Sequence, residues 1–290
     1  MNYKKPLVSV VIPVKNGSET VRDCIDAILK QTYKNIEITL VDNFSSDGTP
    51  GIVKSYMKKD KRIKFLQKGP ERSAQMNFGI RKAKGKYVFV TSVDMIMDND
   101  FLELAVKKCE EEGYQACNGH IISRTKGFWS RVKGMERDMY VNDKLMETAL
   151  FYRKDLFLKL GGFDEKMVGV EEDLQHKLDE NGYKTGIIDS YQVHIDELDS
   201  LREVVLKSFY YGLYDSAYFR KRPFLAFKKR FPVRSAFIRN YKMFLGHLDL
   251  SIGFIIFKII QYVAGAVGLF LGLVFSPEKR KIQGLIYEKK

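Results

Sequence analysis

The chain has 290 residues, of which 45% are hydrophobic and 29% are charged, so it suits a large globular domain with an appendage and excludes a disordered protein. Its formal net charge is +13. Nine of its 49 lysines and arginines fall between residues 217 and 243, where no acidic residue occurs, so the positive charge is a local feature of the chain.

The cysteine content and the N-terminus both indicate a cytosolic chain. Cys24, Cys109 and Cys117 form no CxxC pair and have no metal-ligand spacing, which is typical of reduced thiols. The apolar run at residues 7–14 is too short for a signal peptide and contains Pro13, so we interpret it as a first buried strand.

The first half of the chain alternates apolar runs with helical patterns, which predicts an α/β domain with a parallel sheet. The predicted strands are residues 8–14, 36–42, 62–67 and 86–94. The predicted helices are residues 20–32, 49–59, 72–83 and 100–112, the last capped by Asn99. From residue 114 to 196 the looser pattern predicts short strands, one of them at residues 186–193, and an acidic helix that begins near residue 171.

Polar residues follow the predicted strands at the edge where parallel sheets bind ligands. Asp42 closes the second strand and could accept a hydrogen bond from a base or a ribose, although Asp, Ser and Gly are also the usual residues of a simple turn. Asp94, after Ser92 and Val93, closes the fourth strand. A carboxylate there could hold Mg²⁺ or Mn²⁺ beside a diphosphate, or could be an ordinary loop residue in solvent.

Two later features are also open to two interpretations. Glu171, Glu172 and Asp173 open a helix, where acids cap the dipole favourably, and one of them could instead be a general base for an acceptor hydroxyl. His194 follows the strand predicted at residues 186–193. A lone histidine is more often structural, but imidazole suits Mn²⁺-like ions.

Taken in order, the motifs of the chain resemble those of family 2 glycosyltransferases, which have the GT-A fold, a Rossmann-like and mainly parallel sheet. The resemblance covers roughly residues 7–215. The matching segments are residues 10–17, 28–33, 38–49, 74–80, 83–88, 92–94, 151–153, 161–165, the acidic triplet 171–173 and residues 178–183.

The resemblance implies a site for a nucleotide-sugar donor that is UDP-, GDP- or dTDP-linked. Pro13, Lys15 and Asp42 fall where the family holds the base, and Arg72 and Asn77 fall where it approaches ribose and phosphate. The whole implied donor site comprises Pro13, Lys15, Asn16, Asp42, Arg72, Asn77, Ser92 and Val93.

The resemblance also implies a metal, Mn²⁺ or Mg²⁺, and a catalytic base. Asp94 matches the second carboxylate of the family's DxD motif, Ser92 replaces the first, and His194 fits the position of a C-terminal metal-binding histidine. Catalysis is assigned to the triplet of Glu171, Glu172 and Asp173. Ungapped alignment makes Glu171 the base, and a shift by one residue would make it Glu172. The implied reaction is an inverting displacement.

The C-terminal third predicts membrane association. Residues 218–243 interleave the nine cations with aromatic side chains, which favours an anionic lipid surface over a nucleic acid. Residues 250–275 are apolar apart from Lys258 and Gln261, long enough for a membrane helix, with a buried core helix as the alternative.

Two further observations bear on how this segment is used. Ala264, Gly268 and Gly272 form a small-residue stripe at helix–helix spacing, which would support a homo-oligomer. Basic residues also follow the apolar run, so the positive-inside rule leaves a single crossing, a hairpin and a shallow insertion open. These residues are Lys279, Arg280 and Lys281.

We therefore expect a GT-A catalytic domain at residues 1–200, basic amphipathic interfacial helices at 201–248, and a hydrophobic membrane segment with a basic tail at 249–290. The expected location is the cytoplasmic face of the cell membrane, and the expected acceptor is a lipid-linked glycan or a polysaccharide. The alternative is a catalytically degenerate, membrane-bound protein that binds nucleotide sugars or glycans. An oxidoreductase or an NTPase is disfavoured, because the sequence has neither GxGxxG after the first strand nor GxxxxGK[ST].

Overall fold

The apolar runs form strands and the amphipathic runs form helices throughout the part of the chain that the computed structural model describes, which is residues 5–141, 143, 146, 148–167, 169–198, 200–232 and 234–275. The strands are β1 (Val8–Val14), β2 (Ile36–Asp42), β3 (Ile63–Gln67), β4 (Tyr87–Val90), β5 (Met95–Met97), β6 (Ala116–Lys126), β7 (Phe151–Arg153) and β8 (Thr185–Glu197). The first seven helices are α1 (Val21–Leu29), α2 (Thr49–Lys59), α3 (Arg72–Lys82), α4 (Phe101–Glu111), α5 (Phe128–Asp138), α6 (Lys154–Lys159) and α7 (Val170–Glu180). The remaining helices are α8 (Leu201–Lys221), α9 (Pro223–Arg230), α10 (Ser235–Arg239), α11 (Tyr241–Gly246) and α12 (Leu248–Phe275).

Within these residues the strands form one mixed sheet in the order β3-β2-β1-β4-β7-β6-β8-β5. β1 pairs in parallel with β2 and β4, and β2 pairs in parallel with β3. Every residue of β1 and β2 is buried, as expected for parallel strands covered on both faces. β7 runs antiparallel to β4 and β6, and β5 runs antiparallel to β8. The predicted α/β class is confirmed, and β1 to β4 form a parallel part of the sheet.

The predicted fourth strand is too long. β4 ends at Val90, and residues 91–94 turn before β5, with the Met95 amide donating to the Ser92 carbonyl at 3.1 Å. The predicted Asn99 cap is also wrong, because α4 begins at Phe101 and its N-cap residue is Asp100. The Asn99 carbonyl instead accepts the Thr32 amide at 2.7 Å.

The segment predicted to hold short strands contains two long ones. β6 has 11 residues and β8 has 13, and His194 lies inside β8 rather than after it. β5 explains part of this length, because it pairs with residues 192–194 of β8 and prolongs the strand past the apolar stretch that the sequence pattern marks. Local sequence patterns do not report such a partner.

The described residues divide into two compact units. The first comprises those within Met1–Ile121, Thr148–Glu165 and Val170–His194, and the second those within Ile122–Glu147, Lys166–Gly169 and Ile195–Lys290. Residues 122–147, which lie inside the predicted 1–200 domain, therefore group with the C-terminal helices. The cause is apolar packing within the second unit, where Val132 and Met135 of α5 share a core with Phe254 and Phe257 of α12.

The C-terminal third is helical, as the sequence predicts for residues 201–275. α12 has a mean hydropathy of 2.0 and is, among the described helices, long and apolar enough to cross a membrane. Lys279, Arg280 and Lys281 lie outside the described residues.

Glycines bring α12 into backbone contact with α8. A Cβ atom on Gly268 would overlap the carbonyl oxygen of Phe209, and one on Gly272 would overlap that of Leu213. The residue four positions later in α12 contacts the residue four positions later in α8, so the two helices run in parallel. Ala264, the third member of the predicted stripe, is half-buried. The stripe is thus used inside one chain, and it no longer argues for a homo-oligomer.

The two polar residues of the apolar run are also used internally. The Lys258 ammonium donates to Glu136 Oε1 and to Gln261 Oε1, each at 2.6 Å, and it lies 5.0 Å from the ring centroid of Tyr262. Lys258 is 8% exposed, and removing its partner Glu136 would leave a buried charge unpaired. This ion pair therefore fixes the N-terminal part of α12 to α5.

The glycine contact predicts a contrast between two substitutions on one helix. Gly268→Ala should lower the free energy of unfolding by about 1–3 kcal/mol, because the methyl group forces the helices apart. Gly265→Ala should be neutral or stabilising by up to about 1 kcal/mol, because its Cβ would lie 3.7 Å from its nearest neighbour and alanine favours helix. Thermal unfolding in mild detergent measures both. Equal effects would show that α8 and α12 do not pack through Gly268.

Candidate donor and metal site

The carboxyl ends of the parallel strands meet at one edge of the sheet. Val14, the last residue of β1, pairs with Asp42, the last residue of β2, and Asp42 pairs with Gln67, the last residue of β3. The loops that follow these strands therefore start side by side. This arrangement brings the predicted Lys15, Asn16 and Asp42 to the same edge.

Asp42 is fully buried where β2 ends. Its Oδ2 accepts the Ser45 amide at 3.0 Å, and its Oδ1 accepts the Ser45 hydroxyl at 2.5 Å. The side chain of Gln67 donates to Oδ2 at 3.4 Å. Asp42 therefore shapes the loop that follows β2, as the turn interpretation expects, and any contact with a base would have to share these oxygens.

Asn16 links the first loop to the second. Its amide donates to Ser45 Oγ at 2.8 Å, and its Oδ1 accepts the Ser46 amide at 3.0 Å. Asn16 holds a φ of 48°, a left-handed conformation that asparagine tolerates better than most residues. Lys15 beside it is exposed, whereas Pro13 is buried within β1 opposite Val41. Of the three residues predicted to hold the base, Lys15 is thus the accessible one, and Asn16 beside it is also exposed.

Gln75 is a site-forming residue for which the sequence reasoning assigned no role. It is 3% exposed on α3, and its amide nitrogen donates to the carbonyls of Val14 at 3.0 Å and Val41 at 2.5 Å. One side chain therefore caps two neighbouring strand ends where the loops of the site begin. Its position inside the matched segment 74–80 was the available signal.

Strand pairing brings Asp94 and His194 together. Met95 of β5 is the direct partner of His194 in β8, so the residue before Met95 lies beside the imidazole. His194 Nε2 is 3.3 Å from Asp94 Oδ2. Burial opposes ionisation of the carboxyl, but the hydrogen bond and charge of His194 outweigh it and hold the pKa of Asp94 at about 2. The Ser92 side chain also hydrogen-bonds this carboxylate.

The pair suits a divalent cation that takes its other ligands from a substrate. Asp94 Oδ1 is buried and has no hydrogen-bond partner within the described structure, which leaves an ionised oxygen available to a ligand. Among the described residues, no group of three His, Cys, Asp or Glu side chains could hold a metal. A carboxylate and an imidazole fit Mn²⁺ or Mg²⁺ when phosphate oxygens complete the coordination.

The acidic triplet divides into different environments. Glu171 is 17% exposed at the start of α7, where Oε1 accepts a short hydrogen bond from the Arg72 guanidinium at the start of α3. Burial favours the neutral form of Glu171, but the charge and hydrogen bond of Arg72 hold its pKa below the ordinary value. The two residues are 99 positions apart, so no local pattern could have paired them.

The other two acids differ from Glu171. Asp173 is 1% exposed and lies 3.4 Å from Lys177 Nζ, and that ammonium donates to the carbonyls of Leu160 and Gly162. Asp173 is thus nearly inaccessible and paired within the protein, so it is the least accessible acid of the triplet assigned to catalysis. Glu172 is half-buried and, as the next helical residue, points in another direction from Glu171.

Asn77 also has a structural task. It is 4% exposed, and its amide nitrogen donates to the Phe163 carbonyl at 2.8 Å and to Glu165 Oε1 at 2.9 Å. Its Oδ1 accepts the Phe163 amide at 3.0 Å. Both N–H donors are used within the protein, so the predicted contact of Asn77 with a donor is replaced by a clamp on the turn at Gly162, whose φ is +67°.

The comparisons with known proteins agree with this architecture. Residues 9–164 match the family model described as glycosyl transferase family 2. The chain belongs to this family. It is 38% identical over 109 residues to the glycosyltransferase GlyG of Streptococcus pneumoniae, a match that covers 37% of this chain and 36% of GlyG. The chain thus matches little more than a third of that relative's length.

Two solved structures share the fold of this glycosyltransferase. The mannosyltransferase PcManGT from Pyrobaculum calidifontis, in complex with GDP-Man and Mn²⁺, superposes with a TM-score of 0.65 at 16% identity, over 94% of this chain and 88% of PcManGT. Residues 1–349 of S. aureus TarS, in complex with UDP-GlcNAc, give a TM-score of 0.54 at 15% identity, over 92% of this chain and 89% of that fragment. These likenesses confirm the GT-A fold.

The Asn77 clamp gives a prediction that separates folding from donor binding. Asn77→Ala should lower the free energy of unfolding by about 1–3 kcal/mol, because it leaves the Phe163 carbonyl and amide without their partners. Donor affinity of the folded fraction should stay near wild type. Arg81→Ala is the control, since its 3.8 Å contact with Glu165 is between exposed side chains and is worth at most about 1 kcal/mol. A large loss of donor affinity without a loss of stability would return Asn77 to the donor site.

Proposed function

We propose that this glycosyltransferase transfers a sugar from a UDP-, GDP- or dTDP-linked donor to a lipid-linked or polysaccharide acceptor, with metal assistance and inversion at the anomeric carbon. The observation that carries the proposal is the pairing of Asp94, in the turn between β4 and β5, with His194 of β8 at 3.3 Å. A fold neighbour that binds GDP-Man and Mn²⁺, and another that binds UDP-GlcNAc, support the class of donor.

Asp94 and His194 would hold Mn²⁺ or Mg²⁺. When bound, the cation would neutralise the charge that develops on the departing diphosphate. Without the cation, the hydrogen bond and charge of His194 keep Asp94 ionised. A histidine that coordinates the cation would be neutral, and the charge of the cation would then keep Asp94 ionised. Ser92, which replaces the first carboxylate of the motif, contributes a hydrogen bond to Asp94 rather than a second charge.

Glu171 is the proposed base, and Arg72 controls its basicity. While Arg72 is bound to it, the pKa of Glu171 is depressed, and a carboxylate so stabilised is a poor proton acceptor. The Arg72 side chain is 48% exposed, so an anionic diphosphate could compete for the guanidinium. Donor binding would then release Glu171 to take the acceptor proton, and the acceptor oxygen would displace the diphosphate in a single step.

A non-catalytic binding protein is the second candidate. The observation in its favour is that the Arg72 guanidinium is hydrogen-bonded to Glu171, the residue that the family motif indicates as the catalytic base. Such a protein would bind the donor with metal but would neither transfer nor hydrolyse it. Turnover of the wild-type chain with Mn²⁺ therefore decides between the two.

The metal pair gives the first test. Asp94→Ala should abolish metal-dependent donor binding and turnover while the fold survives, because the ionised oxygen that faces the cation is lost. Calorimetry of a panel of nucleotide sugars with and without Mn²⁺ measures this. Asp155→Ala is the control, an exposed carboxylate paired with Arg153 at the surface. Unchanged metal-dependent affinity in Asp94→Ala would disprove the metal site.

The base gives the second test. Glu171→Gln should lower kcat by more than about a hundredfold, the usual contribution of a positioned base, with donor affinity near wild type. Glu172→Gln is the matched control, one residue further along the same helix, and should keep its turnover. If Glu172→Gln is the inactive variant, the alignment of the acidic triplet is off by one residue.

A further inference from the structure

The outer face of α12 is apolar along the whole helix. Its exposed side chains recur three or four residues apart, the spacing of one helical face. We call this set the α12 stripe. Its members are Ile252, Ile255, Ile256, Ile259, Val263, Val267, Phe270 and Val274, each at least 42% exposed. A continuous apolar surface of this length marks a site of interaction with a membrane or another protein.

The opposite face of α12 packs against two other helices of the same unit, α5 and α8. Its first part packs on α5, where Gly253 meets the rings and methyl groups of Phe128 and Val132. Its last part packs on α8, and the Arg220 guanidinium at the end of α8 donates to the carbonyls of Gly272 and Leu273 at 3.2 and 2.8 Å. α12 thus has a protein partner from one end to the other.

These contacts decide against a simple crossing of the bilayer. The α5 contacts and the buried Lys258–Glu136 pair hold residues up to 258 to the second unit. That leaves 17 described residues, 259–275, or about 25 Å of helix, which is the lower limit of the 17 to 25 residues that span a hydrocarbon core of roughly 30 Å.

The charged residues on and beside α8 also oppose a membrane-spanning arrangement of α12. Because α8 runs alongside α12, a crossing would carry Asp215, its partner Arg230, and Arg220 into hydrocarbon. Each charge there costs several kcal/mol.

The cations of residues 218–243 differ in their surroundings. Arg230 binds Asp215 through two nitrogens, Arg239 binds Asp143, Arg234 lies over the ring of Tyr140, and Lys229 is 2% exposed. The expectation that the whole basic stretch faces lipid is therefore corrected. Lys228 and Lys242 are exposed, and so are the nearby apolar side chains Phe224, Phe227, Ile238, Tyr241 and Leu245.

We propose that α12 lies in the plane of an anionic bilayer, with its stripe in the boundary between headgroups and acyl chains, Lys228 and Lys242 against the headgroups, and α8 on the side towards water. This proposal rests on the membrane association expected from the sequence and adds its geometry: the segment is monotopic and does not span. Lipid fits better than a second copy of the chain, because two copies would bring the same excess of cations together, whereas anionic lipid complements it.

Depth measurements on the full chain test the proposal. Deleting α12 would uncover α5 and α8, so the helix is kept and single cysteines are introduced at Ile252, Val263 and Val274. The native Cys24, Cys109 and Cys117 are buried and should label poorly. A nitroxide on each introduced cysteine reports its depth from its exposure to oxygen and to a water-soluble nickel chelate, in vesicles of phosphatidylcholine and phosphatidylglycerol. Lys58→Cys on α2 is the water-exposed control.

The outcomes are distinct. An in-plane helix gives the same shallow depth at all three positions. A crossing helix gives a deep Val263 between shallow Ile252 and Val274, which overturns the in-plane geometry and leaves membrane association intact. Labels that contact no lipid but broaden through mutual proximity show a second copy on the stripe, and that overturns the proposal. Donor binding, measured in the same samples, is independent of all three outcomes and tests the proposed function separately.

The headgroup contacts have their own test. Lys228→Gln and Lys242→Gln should each weaken binding to the anionic vesicles by about fivefold, with smaller effects at high salt. Lys58→Gln and Lys61→Gln on the first unit are the matched controls and should leave binding unchanged. If the two pairs behave alike, Lys228 and Lys242 do not contact the headgroups.

Discussion

Parallel pairing of β1 with β2 and β4 is the constraint on which the proposed donor site depends. Strands that run in the same direction and pair in register end at the same edge, so three separate loops start there although they are far apart in sequence. The alignment of Val14, Asp42 and Gln67 follows from this register, and Gln75 then caps the carbonyls of two of those strands. A shift of one residue would turn every side chain of a strand to the other face and dismantle the edge.

Sequence alone could predict this part of the molecule, and the reason is physical. β1, β2 and α2 begin and end at the predicted residues, because their apolar runs and the turn-forming residues that flank them are local properties of the chain. The end of β4 and the length of β8 could not be predicted, because they depend on the turn at residues 91–94 and on pairing with β5, about a hundred positions away from β8. The pairing of Asp94 with His194 could be expected only from the family resemblance, because it arises from that same antiparallel register.

Within the family motifs, burial and hydrogen-bond partners distinguish residues that stabilise the fold from residues that are available to a ligand. Asn77 and Asp173 lie in matched segments, yet both are nearly inaccessible and have partners within the protein. Asp94 differs, because one of its oxygens is buried and has no hydrogen-bond partner among the described residues, and an ionised oxygen in that state is costly unless a ligand meets it. A motif match identifies a segment, and the partners of each side chain identify its task.

The same reasoning explains why hydropathy could not determine the role of α12. Mean hydropathy counts apolar residues on every side of a helix, but one face of α12 is exposed and the other packs on α5 and α8. Gly268 and Gly272 count as apolar, yet they serve backbone contact with α8. Lys258 interrupts the apolar sequence, yet its ion pair with Glu136 holds the helix to α5. The apolar area available to lipid is therefore one face rather than the circumference. A helix with one apolar face and one face packed on protein is stable at a membrane–water interface. There the apolar face is removed from water, while the charged side chains of α8 remain hydrated.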